Sequence, residues 1–326
     1  MYLEQSNEAE LYLFLSVDII DSTKKKYNQD GYNQDWTQCF YSFFKEFPEI
    51  FNALLVGSAS SIKQKDCSFD KDIVINPWKY AGDEILFYIC INQKRQVPCI
   101  VRAFKQALIE WKNQQDKKKN GSKLGKTEIK GCIWTGQFPF IDKRFTYYEE
   151  SERIVKTDFI GPSIDCGFRL GKYASDRGII ISIEVMDFCR QDSDLYNSFF
   201  FYKSETLKGV GNMEYPIFNL LLDDKYRNTI EKHIIQSTQS QLESFLNSYY
   251  EENERLYKGR VSRINKNTDE HLNDYLSKKL KEWEGDVKKT PSLSISDKEN
   301  LLKPQVKNQA NEQLQSFVKE AVNNLT

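Results

Sequence analysis

The stretch FLSVDIIDST, residues 14–23, decides the fold because it places a carboxylate inside an apolar segment. β-Branched and aromatic residues over residues 11–20 predict a β-strand. Asp18 lies in the middle of that strand and Asp21 follows its end. Because an unpaired carboxylate is costly to remove from water, the segment predicts either a half-exposed strand or a cation that binds Asp18.

The composition is that of a soluble globular protein, with 40% apolar and 29% charged residues in 326 positions. The net charge of −1 does not favour nucleic acid or an anionic membrane as a partner. No apolar run approaches the roughly 20 residues that span a bilayer. The acidic N-terminus, MYLEQSNEAE, does not resemble a secretion signal, and we therefore expect a cytoplasmic protein.

Histidine and cysteine usage excludes several classes of site. The two histidines, His233 and His271, both lie in the charged C-terminal third, which argues against Ser-His-Asp and Cys-His enzymes and against metal sites built on imidazole. The seven cysteines are scattered singly and match neither a zinc site nor a disulfide framework. We expect them to be reduced, and we expect any chemistry to depend on carboxylates, Lys, Arg and a bound metal.

Strand and helix patterns alternate as far as residue 222, which predicts an α/β arrangement. After residue 222 the composition changes, so the chain divides into a domain of residues 1–222 and a helical extension of residues 223–326. The predicted helices cover residues 32–55, 98–115 and 224–256. The predicted loops cover 57–71 and 112–126, and a linker is predicted at 291–297. The later predicted strands cover 127–136 and 177–185, and a hairpin is predicted at 207–220.

Two aspartates are candidate metal ligands. Asp18 is in the first strand, and Asp83 follows Gly82 in the turn between the segments IVINPWKY and EILFYICI. If the strands are neighbours, both carboxylates converge at one end of a sheet, where hard oxygen donors suit Mg²⁺ or Mn²⁺. The alternative is that Asp18 belongs to an edge strand and that Asp83 is an ordinary turn residue.

Four segments together resemble the sequence blocks of class III nucleotidyl cyclases. FLSVDIIDST resembles the block F-x-D-I-x-x-[FS]-T, and KYAGDEILFY resembles K-x-x-G-D. TDFIGPSIDCGFRL resembles D-x-x-G-x-x-[VI]-N-x-[AG]-x-R, and LKGVG resembles V-K-G-x-G. The blocks occur in the family's order over residues 11–220, and the resemblance does not extend to the C-terminal third.

The resemblance implies a homodimer of ferredoxin-like βαββαβ cores with an α+β sandwich architecture and active sites at the dimer interface. In such a site Asp18, Asp83 and the backbone carbonyl of Ile19 bind two Mn²⁺ or Mg²⁺ ions. The substrate contacts and catalytic groups that the resemblance implies are Phe14 near the nucleotide, Lys79 and Asp158 of the partner protomer at the base, Arg169 at the α-phosphate, Lys208 at the β- and γ-phosphates, and Asp165 at the ribose. The alternative for the lysines and the arginine is a surface ion pair.

The substrate is the least determined part of the resemblance. Lys79 and Asp158 fit ATP, whereas Asp165, which replaces the asparagine of purine cyclases, and the motif D-I-I-D-S-T-x-x-K do not. A cyclase of this length with a helical extension looks like the bacterial pyrimidine cyclases of Pycsar anti-phage systems. That implies cyclic UMP or cyclic CMP as product, with UTP ahead of CTP, and an effector that responds to it. A catalytically inactive nucleotide-binding module is the remaining alternative.

Overall fold

The computed structural model describes residues 2–28, 31–32, 36–61, 75, 77–118, 126–149, 153–207, 214–223, 239–252 and 272–289. The strands in these ranges are β1 Tyr2–Gln5, β2 Glu10–Ile19, β3 Tyr27–Asn28, β4 Gly31–Tyr32, β5 Pro77–Ala81, β6 Glu84–Ile91, β7 Ile129–Phe138, β8 Lys143–Tyr148, β9 Ile154–Ile160, β10 Gly178–Ile181, β11 Phe199–Thr206 and β12 Glu214–Leu221. The α-helices are α1 Ser22–Lys26, α2 Trp36–Ser61, α3 Gln96–Lys118, α4 Pro162–Leu170, α5 Ile183–Phe188, α6 Ser193–Tyr196, α7 Gln239–Glu252 and α8 Leu272–Lys289.

The main sheet has seven strands in the order β11-β12-β10-β7-β2-β6-β5. Its β2-α2-β5-β6-α3-β7 portion consists of two interleaved βαβ units, and the order β7-β2-β6-β5 is that of a ferredoxin-like fold. Strand β2 is antiparallel to both of its neighbours, β6 and β7. The predicted α/β class with a ferredoxin-like core is therefore confirmed.

One face of this sheet is covered by the long helices α2 and α3. Leu13, Leu15 and Val17 of β2 are completely buried on that face. Phe87, the register partner of Leu15, packs against Phe51 of α2 with ring centroids 5.5 Å apart. Each such fully buried side chain contributes about 1.5–3 kcal/mol, so this layer fixes the position of β2.

The opposite face carries Phe14, Ser16 and Asp18, because side chains alternate along a strand. Phe14 stacks on Trp134 of β7 at 5.6 Å and meets Phe159 of β9 at 5.0 Å. Strand β9 belongs to a second sheet, of order β1-β8-β9, which the sequence patterns did not predict in full. Aromatic packing thus fills this face at the Phe14 level and leaves the Asp18 end to polar groups.

Several sequence predictions need correction. Helix α2 continues to Ser61 and α3 to Lys118, so the start of each predicted loop is helical. The strand predicted at 177–185 ends at Ile181, because the Ser182 side chain accepts a hydrogen bond from Val185 N at 3.4 Å and caps α5. Cys99 is disulfide-bonded, so the expectation that all cysteines are reduced is wrong for Cys99.

The described part of the C-terminal extension packs on the same core. In α7, Phe245 contacts Phe218 of β12 at 6.2 Å, and Leu246 is fully buried. Leu272 and Leu276 of α8 are also buried in that core. In the ranges given above, no helix combines the length and apolarity needed to cross a bilayer. The linker predicted at 291–297 lies outside the described residues.

Candidate active site

The two candidate metal ligands meet at one end of the β2–β6 ladder. Asp18 is the register partner of Glu84, the first residue of β6, and Asp83 immediately precedes that residue. The Ile19 amide donates a hydrogen bond to the Asp83 carbonyl at 3.2 Å. Gly82 has φ +73°, a conformation that glycine adopts without strain, and so allows the tight turn that brings Asp83 back to β2.

Asp18 has an ion-pair partner and one oxygen without a partner. Lys130 of β7 lies directly across the ladder, and its Nζ is 3.1 Å from Asp18 Oδ2. Asp18 Oδ1 is buried and has no hydrogen-bond partner among the described residues. Burial raises the pKa of Asp18, Lys130 opposes that shift, and the neighbouring charge of Asp83 adds to it. The local environment is therefore short of positive charge.

Glu84 is a third carboxylate at this end of the sheet, and our sequence analysis did not single it out. Ser16 Oγ donates a hydrogen bond to Glu84 Oε1. Burial raises the pKa of Glu84, the Ser16 hydrogen bond opposes the shift, and Asp18 and Asp83 add to it. The sequence signal was present, since Glu84 follows Asp83 and alternates to the same face of the sheet as Asp18.

The donor set at this end of the sheet fits a divalent cation. Three carboxylates, on Asp18, Asp83 and Glu84, face one ammonium, on Lys130. The unpartnered oxygen of Asp18 supplies a ligand of the type that Mg²⁺ and Mn²⁺ prefer. Within the described ranges, no three His, Cys, Asp or Glu residues form a complete metal cage.

The predicted base-reading pair is formed within one chain. Lys79 Nζ donates to Asp158 Oδ1 at 3.0 Å and also lies over the Trp78 ring at 3.9 Å. Lys156 Nζ is 3.2 Å from Asp158 Oδ2, and the Phe159 amide donates to Oδ1 at 3.0 Å. Burial acts to raise the pKa of Asp158, but these three donors outweigh it and hold the pKa below its usual value. Lys156 was not identified from the sequence.

Arg169 and Asp165 lie on α4, one helical turn apart. Arg169 Nε is buried without a hydrogen-bond partner in the described part of the chain. Asp165 is exposed to solvent. One guanidinium nitrogen thus has no partner among the described residues, whereas the Asp165 carboxylate is exposed.

Helix α4 is fixed over β7 by contacts at two points. The buried Asp142 carboxylate accepts hydrogen bonds from Ser163 N at 3.0 Å and Gln137 N at 3.4 Å, at the start of the helix. Further along, Gly167 lies against Trp134, and a Cβ at that glycine would come within 2.1 Å of the indole. The helix therefore runs back along β7 towards the end that carries Lys130, on the Asp18 face of the sheet.

Two predicted substrate contacts have different outcomes. Phe14 is completely buried in the aromatic layer and stacks on Trp134, and the contact expected between it and a nucleotide stays a prediction. Lys208 lies outside the described residues. Ile19 is 2% exposed. The hydrogen bond from its backbone amide to the Asp83 carbonyl places its backbone next to the aspartate pair.

Solved structures of cyclases are similar to this chain, at low identity. They include the adenylyl cyclase CyaB from P. aeruginosa, with 15% identity, 68% of this chain and 97% of that chain covered, and a TM-score of 0.46. The guanylyl cyclase Cya2 has 17% identity, 66% and 92% coverage and a TM-score of 0.41. The guanylate cyclase domain of RhGC from Catenaria anguillulae, solved with GTP, has 8% identity, 65% and 97% coverage and a TM-score of 0.44.

The sequence itself has no comparable match. No protein-family model matches it, and no curated protein does. At identities of 8–17% and TM-scores below 0.5, the structural matches bear on neither the substrate nor the mechanism of this chain.

Proposed function

We propose that this protein is a divalent-metal-dependent nucleotidyl cyclase that converts a nucleoside triphosphate into a 3′,5′-cyclic nucleotide and pyrophosphate. The observation that carries the proposal is the convergence of Asp18 and Asp83 at one end of the sheet, with an unpartnered buried carboxylate oxygen between strands held in register. The four sequence blocks that resemble class III cyclases add support, because two of them supply these aspartates.

The proposed reaction needs the ribose 3′-oxygen to attack the α-phosphorus while pyrophosphate leaves. Two divalent cations held by Asp18, Asp83 and the Ile19 carbonyl would supply a lowered pKa for the 3′-hydroxyl and neutralisation of the leaving group. Arg169 provides a fixed cation where negative charge accumulates on the α-phosphate. Asp165 can accept a hydrogen bond from a ribose hydroxyl, and Lys208 provides a cation for the β- and γ-phosphates.

The substrate that we propose is a pyrimidine nucleotide, with UTP ahead of CTP. Asp158 already accepts hydrogen bonds from Lys79, Lys156 and the Phe159 amide. The two ammonium groups retain further N–H donors, whereas the carboxylate has little capacity left to accept. Carbonyl oxygens, such as O4 of uracil, therefore suit this cluster better than the amino group that cytosine presents at the same place.

In the biological role that we propose, the cyclic pyrimidine nucleotide is a second messenger of bacterial antiviral defence that activates a partner effector. This part rests on the resemblance of the D-I-I-D-S-T-x-x-K motif, the Asp165 substitution and the overall build to pyrimidine cyclases of the Pycsar type. An adenylyl cyclase is the second candidate, because Lys79 and Asp158 stand at positions that resemble the adenine-reading positions of adenylyl cyclases.

The test of the proposal is incubation of the purified protein with each of the four ribonucleoside triphosphates and Mn²⁺, with chromatographic separation of the products. Cyclic UMP as the main product is the expected result. Cyclic AMP or cyclic GMP instead would retain the cyclase assignment and overturn the pyrimidine one. If none of the four substrates is turned over, the chain is a nucleotide-binding or dimerisation module.

The proposed homodimer, with each active site shared between two protomers, has its own test. Asp83→Ala and Arg169→Ala should each be inactive alone, since each lacks one half of the site. If the site is shared, mixing and re-equilibrating the two variants produces heterodimers with one intact site, and activity returns to about a quarter of the wild-type level. Failure to regain activity, with heterodimers present by native mass spectrometry, would show that both residues act within one chain.

A further inference from the structure

Lys130 is the cation that partners Asp18 in the structure. It lies directly opposite Asp18 in the β2–β7 ladder, and its Nζ is 3.1 Å from Asp18 Oδ2. The side chains of Lys130 and Asp18 are 25% and 24% exposed, so solvent screens the pair only in part. This lysine belongs to none of the four sequence blocks that suggested a cyclase.

The ammonium neutralises only part of the charge around it. Asp83 acts electrostatically on Asp18, and both aspartates act on Glu84. Three carboxylates therefore share one lysine. The second oxygen of Asp18 is buried and has no hydrogen-bond partner in the described ranges. The single ammonium of Lys130, on a flexible side chain, therefore keeps the carboxylates close together but balances only part of their negative charge.

We propose that Lys130 is a positioning residue that acts as an internal counter-ion for Asp18 and sets the affinity of the site for its divalent cation. The inference rests on the proposed function, because it assumes that Asp18 and Asp83 are metal ligands. Lys130 keeps the carboxylates together before the cation arrives, and it competes with that cation for Asp18 Oδ2. Metal binding then requires the ammonium to release this oxygen. The affinity of the site for the cation is therefore lower than three carboxylates without a lysine would give.

The experiment is a titration of the purified, nucleotide-free protein with Mn²⁺, followed by the electron paramagnetic resonance signal of free Mn²⁺. Lys130→Met keeps much of the aliphatic stem and removes the charge. It should lower the Kd for Mn²⁺ about three- to tenfold, the range that removal of one close, partly screened charge produces. Lys130→Arg, which keeps the cation, should remain within about twofold of wild type on the same scale.

A second readout separates this role from a purely structural one. Without metal, Lys130→Met should have a lower melting temperature than wild type, because three carboxylates lose their counter-ion. Saturating Mn²⁺ should raise the melting temperature of Lys130→Met more than that of wild type, since a ligand that binds the folded state more tightly stabilises it more. A merely structural ion pair would leave the same deficit with and without Mn²⁺.

Lys126→Met is the matched control. Lys126 is similarly buried, with its side chain 19% exposed, and its Nζ also lies 3.1 Å from a carboxylate, that of Asp116. This variant should lose stability like Lys130→Met but bind Mn²⁺ with wild-type affinity. Equal Mn²⁺ affinity in wild type, Lys126→Met and Lys130→Met overturns the proposal, as does the absence of binding in all three.

The cyclisation assay keeps this inference separate from the proposed function. A protein that forms a cyclic nucleotide but shows no tighter Mn²⁺ binding in Lys130→Met remains a cyclase and loses only the role inferred for Lys130. A protein with the expected difference in Mn²⁺ affinity but no cyclic product keeps the counter-ion and loses the proposed reaction.

Discussion

The two aspartate–lysine pairs of the candidate site are alike in geometry and opposite in electrostatics. Asp18 lies 3.1 Å from Lys130, and Asp158 lies 3.0 Å from Lys79. Both aspartate side chains are 24% exposed. Nevertheless the pKa of Asp18 is raised, whereas the pKa of Asp158 is lowered.

Burial acts to raise the pKa of both aspartates and is the largest cause at each, and the neighbours of each pair differ in how strongly they oppose it. Two further carboxylates, Asp83 and Glu84, surround Asp18, whereas a second lysine and a backbone amide reach Asp158. The first pair is thus short of positive charge and suits a cation. The second pair has more hydrogen-bond donors than acceptors and suits the edge of an uncharged base that carries carbonyl groups. The length of an ion pair alone would not have distinguished them.

The largest effect is expected where the carboxylate cluster is broken. Asp83→Ala should abolish the cyclisation of UTP and CTP, with a loss of about a thousandfold or more. The variant lacks a proposed ligand of the metal ions that stabilise the charge developing in the transition state. The measurement is product formation with Mn²⁺, beside circular dichroism and size-exclusion chromatography of the variant. Asp176→Asn, which changes a carboxylate in the turn before β10, is the control and should retain activity. Full activity in Asp83→Ala would refute the metal assignment.

Arg169 resembles Asp18 in having a buried polar atom without a partner in the part of the chain that the structure describes, and its loss should have the next largest effect. Arg169→Ala should lower kcat about 100- to 1,000-fold and change KM far less, because the guanidinium acts on charge that develops in the transition state. Steady-state kinetics with UTP separate the two parameters. A rise in KM at unchanged kcat would contradict this role and indicate uniform binding of substrate and transition state.

The donor-rich pair can be tested through base selectivity. Lys156→Met removes one of the two ammonium groups at Asp158 and frees Oδ2 as an acceptor. The ratio of kcat/KM for UTP to that for CTP should fall about three- to tenfold. A hydrogen bond to a charged group contributes about 1.5–3 kcal/mol, and competition from solvent removes part of this contribution. Lys203→Met, in an ion pair with Glu205 on β11, is the control. An unchanged ratio would mean that Lys156 does not contact the base.

The smallest effect is the most direct test of the comparison, because the same substitution should act in opposite directions at the two pairs. In metal-free protein at pH 7, Asp18→Asn should raise the free energy of unfolding and Asp158→Asn should lower it, each by less than about 1 kcal/mol. Urea denaturation measures both changes. Shifts of the same sign would show that the neighbours do not control the two aspartates as described.

The pH dependence gives this test a second dimension. Asp158 has a folded-state pKa below the ordinary 3.8, so its stabilisation is present above that pH and is lost as the pH falls through the folded pKa. Asp18 has a raised folded-state pKa, so its ionisation destabilises the fold above that pKa and the cost disappears as the pH falls through it. The gain in Asp18→Asn should therefore shrink on acidification from pH 7, before the loss in Asp158→Asn does.

Local features of this protein could be read from its sequence. The β-branched and aromatic residues around Asp18 predicted the central strand, and Gly82 before Asp83 predicted the turn between β5 and β6. The glycine and proline at 161–162 marked the start of α4. These predictions succeeded because side-chain periodicity and turn conformation depend on residues close together in the chain. The ends of α2 and α3 were missed because polar residues in the last turns of a helix look like a loop.

The sequence by itself predicted acidic residues in an α/β sheet and determined which residue types were available for chemistry, and its resemblance to class III cyclases implied the ferredoxin-like strand order. Only the tertiary structure decided which distant groups face each other: Lys130 lies opposite Asp18, and Phe14 packs on Trp134 in the core. The physical reason is that strand register pairs residues more than a hundred positions apart, and a carboxylate responds to whichever charges and donors that register brings near it.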